Sequence, residues 1–233
     1  MRAQELGLIA DGLIPYALRF NLDTADLLAE NNFSYVIGQP TEAYIGSYYA
    51  GGVRNPAFMR LRGTRTDVVL LPATAPLGNR LEAADVDGFV RAWREIIDGC
   101  AQNGDMGVIV LDPEALDGAA GDKIIGLLEY AKERGLMFES PGSVADHYRL
   151  AMNVDSSVSL EDDSVKVEAR NMNPINVSGI TYRIRLPPQD EGCLYRAEGA
   201  VISRATRGAD GCTIYATIDI AGNRSAEFSV VPI

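Results

Sequence analysis

Histidine is nearly missing from this chain: His147 is the single one in 233 residues. It lies in "VADHYRL" with no ligand-forming neighbour in sequence, and reads as a solvent-facing or packing residue. Centres built on several imidazoles therefore lack material, and no Cys/His nucleophile arrangement appears. No phosphate loop and no Gly-x-Ser-x-Gly elbow is present either. Lysine is scarce, 3 residues against 18 arginines, and 21 basic against 32 acidic residues leave a formal charge of −11. That balance argues against nucleic acid as a partner. No run approaches the roughly 20 apolar residues of a membrane helix. The three cysteines, Cys100, Cys193 and Cys212, show no metal-ligand spacing. Cys193 and Cys212 pair if their strands are neighbours and the compartment is oxidising; the alternative is two reduced thiols packed in a sandwich. Cys100 falls in a helical pattern and reads as a small apolar residue.

What remains is globular in composition, with 47% hydrophobic and 23% charged residues. The start, "AQELGLIADGLI", reads as an amphipathic helix with no capping residue, not as a secretory signal. The expectation from an element that opens uncapped is a piece of a longer protein. Asn32-Phe33-Ser34, Asn176-Val177-Ser178 and Asn223-Arg224-Ser225 match the N-glycosylation pattern, which carries weight only with evidence of secretion. The compartment stays open between cytoplasm and cell envelope or exterior.

The two halves differ in texture. Up to about residue 152, short apolar runs (33–38, 67–73, 107–112, 136–140) alternate with helical patterns. In 83–104, Val86, Phe89, Val90, Trp93, Ile96, Ile97 and Cys100 share one stripe, and Gly104 is a credible stop. Residues 24–31, 120–135 (ending at Gly135) and 143–153 repeat the arrangement. Strand–helix alternation at this spacing implies a parallel sheet with helices outside it. After 154 the period becomes two. Ile180, Tyr182, Ile184 and Leu186 fall on one face, and Thr181, Arg183 and Arg185 on the solvent side. Some seven short strands in about 80 residues imply a β-sandwich. The charge divides as 13 − 21 = −8 through residue 152 and 8 − 11 = −3 after it, so neither half is basic.

Local wording adds a resemblance. "YALRFNLDTADLLAENNFSYVIG" (16–38), "YYAGGVRNPAF" (48–58), "GTRTDVVLLPAT" (63–74) and "GVIVLDPEALDGAAGDKIIGLLEYAKERGLMFESPGSVADHYR" (107–149) together resemble the polysaccharide deacetylase family. The resemblance implies a metal-dependent carbohydrate esterase. The expected fold is α/β: part of an irregular β/α barrel over 1–153, then an accessory β-sandwich over 154–233. The family's paired aspartates and its two metal-binding histidines have no counterpart here. The expectation is therefore no cofactor in this chain, although complete members hold a divalent metal such as zinc. The family's Arg-x-Pro becomes Arg19-Phe20-Asn21, and its closing His-Pro becomes Asp112-Pro113. Truncation and degeneracy both account for these departures.

The candidate catalytic residues are Asp112 and Arg19. Asp112 stands where the family has a general-acid histidine; an exposed Asp, with a pKa of about 3.9, is a poor acid at pH 7. The competing readings are a brace for the turn and a hydrogen bond to substrate. In the family the matching Arg orients a catalytic aspartate; with that aspartate missing, Arg19 is left to pair locally, with Asp23 as the candidate partner, or with a sugar. The loop 41–65 interleaves Tyr44, Tyr48, Tyr49 and Phe58 with Arg54, Arg60, Arg62 and Arg65. Tyr44, Tyr48, Tyr49, Arg54 and Arg60 are the candidate glycan contacts, since rings stack on sugars and guanidinium groups donate to hydroxyls and carboxylates. Two functions follow as expectations: a deacetylase-like protein, inactive or incomplete as it stands, whose parent removes acetyl groups from a polysaccharide; or a non-catalytic module that binds glycan or protein.

Overall fold

The computed structural model describes residues 10–15, 18, 22–38, 55–61, 64–74, 86–111, 118–161, 164–187, 194–208 and 211–233. The chain divides into two compact units, Met1–Asp146 and His147–Ile233.

In the first unit, strand β1 (Gly12–Leu13) is followed by helix α1 (Leu22–Glu30), β2 (Tyr35–Gly38), β3 (Ala57–Leu61) and β4 (Thr64–Pro72). The sheet order is β1-β2-β4-β3. β1 and β2 run parallel, as do β2 and β4, while β3 and β4 form an antiparallel pair. From Val68 onward β4 is buried residue after residue, so both its faces are covered. Ala25 and Leu28 of α1 close one side over Val36, Met59, Val68 and Leu70. Helices α2 (Val86–Asn103) and α3 (Gly118–Glu133) pack through Phe89, Trp93, Ile96, Ile97 and Cys100 against Leu127 and Ala131. Both stop at a glycine in the left-handed region, Gly104 (φ 71°) and Gly135 (φ 79°), where a Cβ would be strained. The Leu136 N–H closes the α3 cap onto the Ala131 carbonyl at 3.1 Å.

Asp98 fastens α2 to α3. It accepts the Tyr130 hydroxyl at 2.8 Å and pairs with Arg134 at 2.7 Å. The bond to Asp98, whose charge opposes a phenolate, raises the Tyr130 pKa above 10.0. The folded state thus favours the neutral phenol. The stabilisation is complete below the unfolded value and is lost as pH rises through the folded one. A spectrophotometric titration should find Tyr130 among the last tyrosines to ionise, and Asp98→Asn should bring its midpoint down; an unchanged midpoint contradicts the assignment.

The expected β/α barrel does not form. Among the described residues this sheet is open and mixed, and its edge strands β1 and β3 do not meet. Two local causes are visible. Only residues 62 and 63 separate β3 from β4, too few for the dozen or more residues of a parallel crossover, so the pair folds back antiparallel. Among the described residues the run at 107–111 makes no extended ladder either. Thr74 donates its N–H to the Val108 carbonyl and takes the Val108 N–H on its hydroxyl, both at 3.0 Å, so at this point a side chain stands in for a ladder partner, and Leu111 forms only an isolated bridge. Residues 136–140 stay outside any sheet, with Met137 86% and Phe138 51% exposed. Short apolar runs do not distinguish ladder strands from lone extended segments. Conversely, β3 lies within the stretch expected to be a loop, 41–65.

Helix α4 (Pro141–Ala151) contains the division between the units, and among the described residues seven strands follow it: β5 (Val154–Glu161), β6 (Ser164–Asn171), β7 (Val177–Leu186), β8 (Tyr195–Glu198), β9 (Val201–Gly208), β10 (Gly211–Ile220) and β11 (Ser225–Pro232). They form two antiparallel sheets, β5-β6-β11-β8 and β7-β10-β9. Their inner faces share one core, with Val165, Val167, Phe228 and Val230 from the first sheet and Ile214, Ala216, Ile218 and Ile220 from the second. The Tyr182 and Phe228 rings meet across it at a 53° tilt, centroids 5.3 Å apart. Cys212 is buried and disulfide-bonded, whereas Cys100 is free. Cys193, the partner named from sequence, lies outside the described residues.

One end of this sandwich is tied by asparagines. Asn171 is fully buried, and its Nδ2 lies within hydrogen-bonding distance of the carbonyls of Ile175 (2.9 Å), Ile220 (3.1 Å) and Ala221 (3.2 Å). Its Oδ1 accepts both the N–H and the Nδ2 of Asn173 at 2.8 Å. Asn173 reaches the Leu150 carbonyl at 2.9 Å. A Cβ at Gly222 would collide with the backbone of Pro174, so the two turns approach as closely as glycine permits.

Candidate functional site

The site residues anticipated from sequence fall mainly outside the described residues: Asp112, Arg19, Tyr44, Tyr48, Tyr49 and Arg54. Arg60 is described. It is exposed on β3, directly across from Arg65 of β4. Arg65 lies 3.6 Å above the Phe58 ring, which spreads its charge over a π face beside the other guanidinium. His147 is exposed on α4. Among the described residues no group of three His, Cys, Asp or Glu side chains is placed to hold a metal ion, and no helix is long and apolar enough to cross a membrane.

The outer face of β7-β10-β9 is the best-developed polar surface. Cross-strand pairing sets Arg183, Tyr215 and Arg204 in one row, and Arg185, Thr213 and Thr206 in the next. Opposed residues of antiparallel strands point to the same side, so each row is a line of neighbouring side chains. The Arg204 guanidinium sits 5.7 Å from the Tyr215 ring centroid. Tyr215 is only 7% exposed although it points away from the core. Its ring therefore serves as a floor that holds a guanidinium and offers little surface for sugar stacking. A third row carries hydroxyls. Thr181 and Thr217 lie 2.9 Å apart, and Thr217 donates to Ser203 at 3.2 Å. The three strands contain one acidic residue, Asp219, whose carboxylate accepts the Gly179 N–H at 2.8 Å toward one end of β10.

A β-bulge builds this face. Tyr215 opposes Arg204 while Ala216 opposes Ile202, which leaves Ser203 as the extra residue in β9. Strict alternation would put Arg204 and Thr206 on the side of Ile202, toward the core. The bulge turns both outward.

The outer face of the other sheet differs. Asp155, Glu168, Arg170 and Glu227 surround a shallow depression of about 580 Å³. Two of these carboxylates, Glu168 and Glu227, already face a lysine. Lys166 lies 3.0 Å from Glu227 and 3.8 Å from Glu168, and its bond to Glu227 raises its pKa. A ligand would have to compete with these pairs.

No protein-family model and no curated protein matches the chain. Among solved structures, the glycoside hydrolase family 30 subfamily 8 xylanase Xyn30A from Clostridium acetobutylicum is similar over 98% of this chain and 57% of its own, at 14% identity and a TM-score of 0.29. This chain thus spans little more than half of the xylanase, and at so low a score the likeness establishes neither fold nor activity.

Proposed function

We propose that this chain is a non-catalytic carbohydrate-binding protein, and that the outer face of β7-β10-β9 takes a glycan bearing acidic groups. One observation carries this: three guanidinium groups, Arg183, Arg185 and Arg204, share one sheet face with a line of hydroxyls, on a chain whose formal charge is −11. Guanidinium forks match carboxylate geometry, and Thr and Ser hydroxyls donate to or accept from sugar hydroxyls. The overall negative charge does not cancel the attraction, because at physiological ionic strength exposed charges more than about 8 Å away are largely screened. A ligand resting on the face feels the arginines first.

The test is titration calorimetry with uronate oligosaccharides, their carboxyl-reduced neutral counterparts, and an oligonucleotide of equal charge. The expected result is binding of the uronate form alone, weakening as salt is raised. Equal binding of the neutral sugar, or preference for the oligonucleotide, contradicts the proposal. Acetate is assayed in the same mixtures with a divalent metal present, because the deacetylase resemblance implies acetyl hydrolysis by the parent protein. Acetate release would overturn the non-catalytic part. Tyr215→Leu should weaken binding about 3- to 10-fold by removing the floor under Arg204, in line with a cation–π contact of about 1 kcal/mol. Tyr215→Phe, which keeps the ring, should bind nearly as wild type.

A further inference from the structure

The three Asn-x-Ser sequences differ in how they are held. Asn32, Asn176 and Asn223 are all exposed, but only Asn223-Arg224-Ser225 is exposed throughout. Val177 of the second is fully buried, and Asn176 Oδ1 accepts the Gly222 N–H at 3.1 Å. In the first, Phe33 and Ser34 are partly buried, and Ser34 has interactions of its own. Asn223 lies in the turn between β10 and β11 at φ 55°, anchored through its backbone N–H to the Asn173 carbonyl at 2.8 Å. The anchor leaves the side-chain amide clear of the ladder. The disulfide at Cys212 fits an oxidising compartment, the setting in which such a sequence can meet a glycosyl transferase.

We propose that Asn223 is an N-glycosylation site, accessible in the folded sandwich, and that Asn32 and Asn176 are poorer acceptors. The co-reactant is a lipid-phosphate-linked oligosaccharide. Asn223 Nδ2 bonds to the anomeric carbon as the C1–O bond breaks. The bonding pair leaves on the lipid phosphate, and one amide proton passes to a base of the transferase. Asn223 Oδ1 is retained. The site is independent of the arginine face.

The test is secretion of the full chain from an N-glycosylating host, followed by intact mass and peptide mapping before and after peptide N-glycosidase. Most secreted chains should carry glycan at residue 223, read as Asp after enzymatic release. Asn223→Gln and Ser225→Ala should each abolish that glycan, while Asn176→Gln and Asn32→Gln leave it unchanged. A thermal melt and a free-thiol count show that each variant is folded and disulfide-bonded. Folded, disulfide-bonded protein with residue 223 bare, or glycan at 32 or 176 alone, overturns the proposal. A bare residue 223 in protein purified from its natural source does so equally.

Discussion

Asn171→Leu should lower the unfolding free energy of the sandwich by about 4 kcal/mol, because burying unpaired polar groups costs about 1–3 kcal/mol each. The change strips the shared donor from the carbonyls of Ile175, Ile220 and Ala221, and removes the acceptor for Asn173. Leucine is close in size, so the loss reflects hydrogen bonding more than volume. For a unit of this size the melting temperature should fall by roughly 20 °C. Asn171→Asp is the control for shape. It keeps an oxygen for Asn173 but directs a second one at carbonyls, and should also destabilise strongly. Asn173→Ala should cost less, since it leaves the amide of Asn171 in place. Calorimetric melts check all three; a loss under about 1 kcal/mol for Asn171→Leu would mean that water or a shifted backbone replaces these bonds.

Replacing Arg183, Arg185 and Arg204 together with serine should weaken uronate binding about 100-fold, as three partly solvated guanidinium–carboxylate contacts of about 1 kcal/mol each imply. The fold should hold, because Arg183 and Arg185 are exposed and none of the three belongs to the core. Arg60→Ser with Arg65→Ser, on the β3–β4 hairpin, is the matched control. It removes two exposed guanidinium groups from the other unit, and should leave affinity within about twofold if the sandwich face is the site. If the hairpin pair carries the effect instead, the sequence-based assignment of the 41–65 stretch was nearer the truth. Raising the salt should compress the difference between wild type and triple variant, since screening removes the term the arginines supply.

Helical periodicity made α2 and α3 legible from sequence, down to the stripe of Val86, Phe89, Trp93, Ile96, Ile97 and Cys100 and the stop at Gly104. Period-two alternation likewise placed Thr181, Arg183 and Arg185 on the solvent side of β7. Sheet topology was not legible. Whether a run such as 107–111 enters a ladder depends on partners distant in sequence, here the hydroxyl of Thr74, and the expected barrel rested on such runs. The other half of the arginine face was hidden for a different reason. Counting by twos assigns Arg204 to the core side, and only the bulge at Ser203 moves it beside Tyr215. Bulges have weak sequence signals where no glycine marks them. Asn171 was equally hidden, since a buried amide within an alternating strand looks like an ordinary turn residue.

The most direct measurement is backbone and guanidinium NMR of the full chain titrated with a uronate oligosaccharide. Shifts should cluster on Thr181, Arg183, Arg185, Ser203, Arg204, Thr206, Thr213 and Thr217, and vanish with the carboxyl-reduced sugar. Shifts centred on the β3–β4 hairpin, on the face around Arg170 and Glu227, or nowhere at saturating ligand would contradict binding at this face.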